Sequence, residues 1–300
     1  MKKIILISLA SLSFQLQAKD YKGAEIFSNE QVLYGKFEMC MQASKAEGVL
    51  STFFLYKNGS EIKGSIWEEI DIEIFGKNNA QSFQSNIITG TSTARITSEQ
   101  VHKNTSSLAD DFHTYGLEWT PEYIAWYLDG IQVRKTTGDQ VSKCNAPMSY
   151  RLNTWAALDG NWVGDFIETS LPLNQFIDWL SYSAYTPGKG DKGSDFTALW
   201  KDDFNTFNSS RWGRANWTFD ENLVDFEPNN INVKEGKLIL SLTNVSATGF
   251  SGKVPKGGCS SIDSKYLLKQ KIKIKKDGLL NKCNNEAVAI LESRNKKIFF

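Results

Sequence analysis

The stretch Trp67-Glu68-Glu69-Ile70-Asp71-Ile72-Glu73-Ile74-Phe75 alternates acids and isoleucines with a period of two. An extended strand turns successive side chains to opposite faces, so one face carries Glu69, Asp71 and Glu73 and the other Ile70, Ile72 and Ile74. The isoleucines belong in a core, which aims three carboxylates together at the opposite side. A solvated acidic face is the plain alternative. Unpaired like charges stacked on one strand repel and give a fold nothing by themselves. Trp67 and Phe75 fall on the carboxylate face, which suits a groove better than an open surface.

The same period recurs along the chain. Phe37, Met39, Met41 and Ala43 alternate with Lys36, Glu38, Cys40 and Gln42. The runs 123–128 and 131–135 flank Asp129-Gly130, a two-residue hairpin signal, and the run 237–242 follows a turn at Glu235-Gly236. Long stretches with helical periodicity are absent. The expected class is all-β, an antiparallel sandwich or barrel in one domain. Segment 186–195 (TPGKGDKGSD) reads as an exposed connector. Beyond Gly257 the pattern degrades, and 256–300 is expected to be a basic, flexible tail.

Charge and composition narrow the function. The sequence is neutral overall, yet 256–300 holds 11 basic residues against 4 acidic, leaving 21 against 30 in 19–255. That acidic body argues against nucleic acid as a partner. His102 and His113 are the only histidines, so a multi-histidine metal site is excluded. Residues 1–18 (MKKIILISLASLSFQLQA) show a basic start, an apolar run too short to span a bilayer and a small residue at the end. This is the pattern of a cleaved export signal, implying a secreted or cell-surface protein with no membrane span. Export permits disulfides among Cys40, Cys144, Cys259 and Cys283. Closure between Cys259 and Cys283 is the cheapest expectation, with Cys40 a small buried apolar residue.

Two carboxylates flanking a glycosidic bond can cleave it, one attacking C1 while the other protonates the departing oxygen. In the retaining mode they stand roughly 5–5.5 Å apart. At that distance repulsion of about 3 kcal/mol raises one partner's proton affinity, as a general acid at neutral pH requires. Glu69 and Glu73 have Cα atoms about 13 Å apart on an extended strand, so their side chains must lean inward. Asp71 between them is placed to share a hydrogen bond and set the protonation order. Calcium on the three acids is the weaker alternative, because calcium sites usually draw on a turning loop. No GxSxG occurs to support a serine esterase.

The run Glu69-Ile70-Asp71-Ile72-Glu73 resembles the catalytic signature of glycoside hydrolase family 16. So does HTYGLEWTPEYIAWYLDG from His113 to Gly130. With no residue inserted between Asp71 and Glu73, the motif resembles the lichenase branch. The stretch Asp203-Phe204-Asn205-Thr206-Phe207 through Trp212 and on to 237–241 follows the catalytic strand, where most lichenases have it first. The chain is therefore similar to circularly permuted 1,3-1,4-β-glucanases, over residues 19–255. The resemblance implies a jelly-roll sandwich of two curved antiparallel sheets. It also implies a secreted, retaining endo-acting enzyme on mixed-linkage β-glucan, monomeric and with no cofactor in the chemistry. A 1,3-β-glucanase, a xyloglucan-active enzyme or a lectin-like binder on the same fold are the alternatives.

By the same resemblance Glu69 is the nucleophile, Glu73 the general acid/base and Asp71 the assisting carboxylate. Phe54, Tyr56, Asn58, Glu61, Trp67, Gln84, Asn86, Arg151, Trp155, Trp162 and Trp217 would line the substrate cleft. Such a set suits sugar, because aromatic faces pack on C–H faces while amides and guanidinium read hydroxyls. Trp119, Trp126 and Trp179 lie in apolar runs and read as core. One structural calcium would sit away from the cleft on Asp178, Asp203 and the carbonyl of Gly236. Arg95 stands where the resemblance leads one to expect a neutral amide, and the chain carries one extra residue near Asn79-Ala80. The tail is expected to be dispensable for hydrolysis and to serve export or surface attachment.

Overall fold

The structure, a computed structural model, describes residues 18–259. Seventeen strands follow in order: β1 (Tyr21–Ser28), β2 (Gly35–Gln42), β3 (Val49–Tyr56), β4 (Glu69–Phe75), β5 (Ser82–Thr91) and β6 (Ala94–Thr97). Next come β7 (Gln100–Lys103), β8 (His113–Trp119), β9 (Tyr123–Leu128), β10 (Ile131–Thr137), β11 (Ser149–Ala156) and β12 (Leu173–Tyr185). The last are β13 (Phe196–Asp202), β14 (Trp212–Arg214), β15 (Val224–Phe226), β16 (Ile231–Lys234) and β17 (Lys237–Asn244).

Nearly all pairings are antiparallel and they build a jelly-roll sandwich. The first sheet runs β14-β1-β11-β3-β4-β5, with β6 and β7 on its far edge. The second runs β10-β9-β8-β2-β12, and β12 is flanked beyond by β17, β16 and β13. Tyr21 and Lys22 of β1 also pair with Asn244 and Thr243 of β17, knitting the sheets together at one end.

The period-two residues face where their pattern sends them. Ile70, Ile72 and Ile74 enter the core between the sheets, with Phe37, Met39 and Met41 of β2 opposite. Trp119 and Trp126 are fully buried there, and Trp126 Nε1 donates to the carbonyl of Asp71 at 2.9 Å. Asp129 (φ 49°) and Gly130 (φ 74°) make the tight turn between β9 and β10. The connector at 186–195 is the loop of the β12–β13 hairpin, pinned by Thr186 N–H to the Asp195 carbonyl at 2.7 Å. Around the extra residue, Asn78, Asn79 and Ala80 are three successive left-handed residues. Asparagine tolerates that region far better than alanine does.

The disulfide expectation is overturned. Cys40 bonds to Cys259, with Cα atoms 5.8 Å apart. Alternation on β2 turns Cys40 away from the sandwich interior, where Phe112 and Trp179 surround it. It is buried by that satellite cluster and by Cys259, outside the inner core. The bond ties residues 256–259 to the second sheet. Cys283, the export pattern (all but Ala18) and the rest of the tail lie outside the described residues. Cys144 is a buried thiol whose pKa is pushed up by desolvation.

Candidate active site

Register fixes which residues meet on the outer face of the first sheet. Opposite Glu69, Asp71 and Glu73 on β4 stand Tyr56, Phe54 and Thr52 of β3. On the other side Asn86 stands opposite Asp71 and Gln84 opposite Glu73, on β5. Arg151 and Asn153 of β11 stand opposite Phe54 and Thr52, and Phe27 and Glu25 of β1 lie beyond them. Because every second residue shares a face, five strands present one continuous polar and aromatic floor. The strand is also held from its start. Glu68, 3% exposed and pointing away from Glu69, accepts the backbone N–H groups of Asn145 and Ala146 at 2.8 and 2.9 Å.

The three carboxylates have different partners. Trp67 Nε1 donates to Glu69 Oε2 at 2.7 Å, and Gln84 Nε2 donates to Glu73 Oε2 at 2.8 Å. Trp162 Nε1 donates to Gln84 Oε1 at 3.4 Å, which settles which way that amide faces. Asp71 is 4% exposed, and its Oδ2 finds no donor among the described residues. Its hydrogen-bond contact is with the Glu69 carboxyl. A proton held on Asp71 therefore satisfies both groups, with Asp71 donating to an ionised Glu69.

Electrostatics order the protons the same way. Desolvation raises Glu69 to about 7, against the Trp67 N–H and the charges of Arg151 and Arg95, while Glu25 pushes it up. Desolvation raises Glu73 to about 8, opposed by the Gln84 amide and reinforced by the charges of Glu69 and Glu99. Asp71 is raised well above the carboxylate range, by burial first and then by its two neighbours. Two cations and an N–H favour charge on Glu69, whereas Glu73 has a single amide. The pair is therefore split toward an ionised Glu69 and a protonated Glu73.

The other anticipated cleft residues gather around this floor. Tyr56 donates its hydroxyl to Glu61 at 2.7 Å and meets Trp67 edge-on at 5.7 Å. Arg151 stacks over Tyr56 at 4.7 Å and bonds Asn58 Oδ1 at 2.8 Å. Trp217 is 38% exposed and lies against Phe27. Asn86 is buried and accepts the Ser98 N–H, and Trp162 packs on Phe75 and Trp155. Trp155 is only 7% exposed, edge-on to Phe219 at 5.0 Å, so it supports one end of the floor more than it lines it. Phe75 is likewise covered. Trp179 sits beside the disulfide.

Sequence reasoning missed Glu25 and Asn153. Glu25 is 2% exposed, binds Arg151 Nη1 at 3.2 Å and accepts from Asn153 Nδ2 at 3.0 Å. Asn153 in turn bonds the Thr52 hydroxyl. The signal available was the alternation of Glu25 and Phe27 with Ala24 and Ile26 on β1, but one acid in a strand does not announce a partner 126 residues away.

The residues anticipated for calcium offer a poor cage. Asp178 is paired with Lys237 Nζ at 2.7 Å, a lysine side chain 8% exposed, and Asp203 is paired with Lys201. Calcium takes six to eight oxygens, and here an ammonium stands at the carboxylate that would be its ligand. Gly236 does adopt the expected tight turn, φ 69°. Among the described residues no three acidic, histidine or cysteine side chains converge as metal ligands. As arranged, these residues do not fit calcium.

The geometry joins an ordered carboxylate trio to an aromatic and amide floor, and the comparisons agree with it. The sequence matches Glycosyl hydrolases family 16 over residues 5–181. It is 50% identical over 248 residues to the Beta-glucanase of Fibrobacter succinogenes, covering 82% of this chain and 71% of that protein. The chain belongs to glycosyl hydrolase family 16. This family-16 enzyme is also 32% identical to the Beta-glucanase of Brevibacillus brevis, over 55% of this chain and 62% of that protein. Among solved structures it is similar to the Bacillus licheniformis beta-glucanase, 30% identical with a TM-score of 0.46, covering 53% of this chain and 70% of that one. It is a glycoside hydrolase.

Proposed function

We propose that the chain is a secreted, retaining endo-1,3-1,4-β-glucanase. The observation that carries this reading is the unbulged β4 strand, which puts Glu69, Asp71 and Glu73 on one buried face, with both outer carboxyls raised by desolvation and more charge-stabilising partners around Glu69 than around Glu73. Glu69 attacks C1 of the sugar while Glu73 protonates the departing glycosidic oxygen. A glycosyl ester forms on Glu69 as the C1–O bond breaks. Glu73, now ionised, takes a proton from water, whose oxygen attacks C1 and frees Glu69. Asp71 keeps its proton and donates it in a hydrogen bond to the Glu69 carboxylate before the attack and again as Glu69 departs in the second step. Tyr56, Trp67 and Trp217 offer faces to the sugar rings, and Asn58, Gln84, Asn86 and Arg151 offer hydrogen bonds to hydroxyls. The name Beta-glucanase, carried by the Fibrobacter and Brevibacillus relatives, supports a β-glucan substrate, and the uninterrupted motif between Asp71 and Glu73 supports the mixed linkage.

On this reading the chain is also permuted. Val245 N–H bonds the Asp20 carbonyl at 2.8 Å, so the two ends of the sandwich adjoin, as exchanging chain ends requires. The Cys40–Cys259 disulfide supports an oxidising, exported setting. Among the described residues no helix is long and apolar enough to cross a membrane.

The test is reducing-sugar release from barley mixed-linkage glucan, laminarin, carboxymethyl-cellulose and xyloglucan in parallel. Release from the mixed-linkage glucan is expected to dominate. Preference for laminarin would move the specificity, and silence on all four by a folded protein would return the lectin-like alternative.

A further inference from the structure

One ion pair joins opposite edges of the first sheet. Arg95 lies on β6 beyond β5, while Glu221 lies on the loop that follows β14 at the other edge. Arg95 Nη2 and Glu221 Oε1 are 2.9 Å apart. The backbone of Glu221 is held beside the end of β11, where Leu158 N–H bonds its carbonyl at 3.0 Å. The same loop lays Trp217 against Phe27 and Phe219 against Trp155, so it stands on the carboxylate side of the sheet. Arg95 reaches that side too, with its guanidinium 5.0 Å from the centre of the Trp67 ring. The contacts form a chain: Glu221 to Arg95, Arg95 over Trp67, and Trp67 Nε1 to Glu69 Oε2 at 2.7 Å.

Resting on the glucanase reading, we propose that Arg95 is a positioning residue and that its pair with Glu221 is a latch across the cleft. The latch holds Trp67, and through it Glu69, in the ligand-free enzyme, and a glucan chain must part it to reach the carboxylates. The pair suits that task. Its side chains are 38% and 65% exposed, so salt screens it and it opens readily. When Glu221 lets go, Arg95 stays over Trp67 with its N–H groups free for sugar hydroxyls. A neutral amide at this position would carry no charge to pair with Glu221.

The experiment compares wild type, E221Q, R95Q and R95K in two ways, at 20 mM and 500 mM salt. Hydrogen exchange of residues 216–221 in the ligand-free protein reads the latch without any substrate. It is expected to be at least threefold faster in E221Q and R95Q than in wild type at low salt, with wild type rising to match at high salt. On mixed-linkage glucan, E221Q is expected to lower KM two- to fivefold with kcat within twofold, and to lose the salt dependence of KM. R95Q is expected to lower kcat as well, because Trp67 loses the cation above it, and R95K to restore the exchange pattern more fully than kcat. Equal exchange and equal KM in wild type and E221Q at both salts would overturn the latch. The expected exchange pattern in a protein inactive on every glucan would leave the latch standing and overturn the glucanase reading instead.

Discussion

At the residue scale, the proposed division of labour between Glu69 and Glu73 rests on what surrounds each. Glu69→Ala is expected to lower kcat at least ten-thousandfold on β-glucan while leaving the fold intact. Glu73→Ala is expected to spare aryl glycosides with good leaving groups, as steady-state kinetics on both substrate types would reveal. With Glu69 raised to about 7 and Glu73 to about 8, kcat/KM should be bell-shaped. Its limbs belong to the coupled trio and not to single residues. The same shifts bear on stability. A carboxyl whose pKa is higher folded than unfolded binds its proton more tightly in the folded state. Its contribution is complete below the unfolded value of 4.5 and is lost as pH rises through 7 to 8. Glu73→Gln should therefore stabilise the protein at pH 8.5 by on the order of 1 kcal/mol, about 2–4 °C in Tm, with the gain fading near pH 4. Calorimetry at the two pH values checks this, and an equal gain at both would contradict it.

At the element scale, β4 was legible because its sequence states both faces at once. Three isoleucines can only be core, and three acids between them can only be outward. The partners on β3 and β5 followed from no local pattern. Phe54 and Tyr56 were placed by resemblance, and register then set them opposite Asp71 and Glu69. The Glu25–Arg151 pair and the Arg95–Glu221 pair each join residues 126 apart, beyond the reach of periodicity. The turn at Asn78–Ala80 was seen only as an extra residue, because left-handed alanine leaves no signature in sequence. Trp126 read correctly as core, but its indole also holds the backbone of the catalytic strand. Trp126→Phe keeps a ring there and orphans the Asp71 carbonyl on that side. It is expected to cost about 1–3 kcal/mol in denaturant unfolding, with a smaller loss of kcat. No change in stability would mean that the N–H bond carries nothing.

At the scale of the whole molecule, the sandwich is closed by contacts between segments far apart in sequence. β1 joins β11 and β14 in one sheet and β17 near the other, so the start and end of the body stabilise each other. The Cys40–Cys259 bond adds a covalent closure over 219 residues. Composition could not choose it, since Cys259 and Cys283 lie close in sequence while Cys40 is distant. The bond also changes what a shortened chain should contain, because ending at residue 255 removes the disulfide and ending at 259 keeps it. Chemical unfolding of Cys40→Ser is expected to show a loss of about 2–5 kcal/mol, reproduced in wild type by reduction. Unchanged stability on reduction would contradict that closure.

The measurement that tests the central claim most directly is peptide mapping after trapping with an activated 2-deoxy-2-fluoro β-glucoside, extended by a second glucose unit to fill the cleft. The fluorine slows both displacements and the good leaving group restores the first, so the glycosyl ester accumulates. The account predicts one sugar adduct, on Glu69, absent from Glu69→Ala and relieved by added glucan. An adduct on Glu73 or Asp71, or none in an enzyme that turns over mixed-linkage glucan, would contradict it.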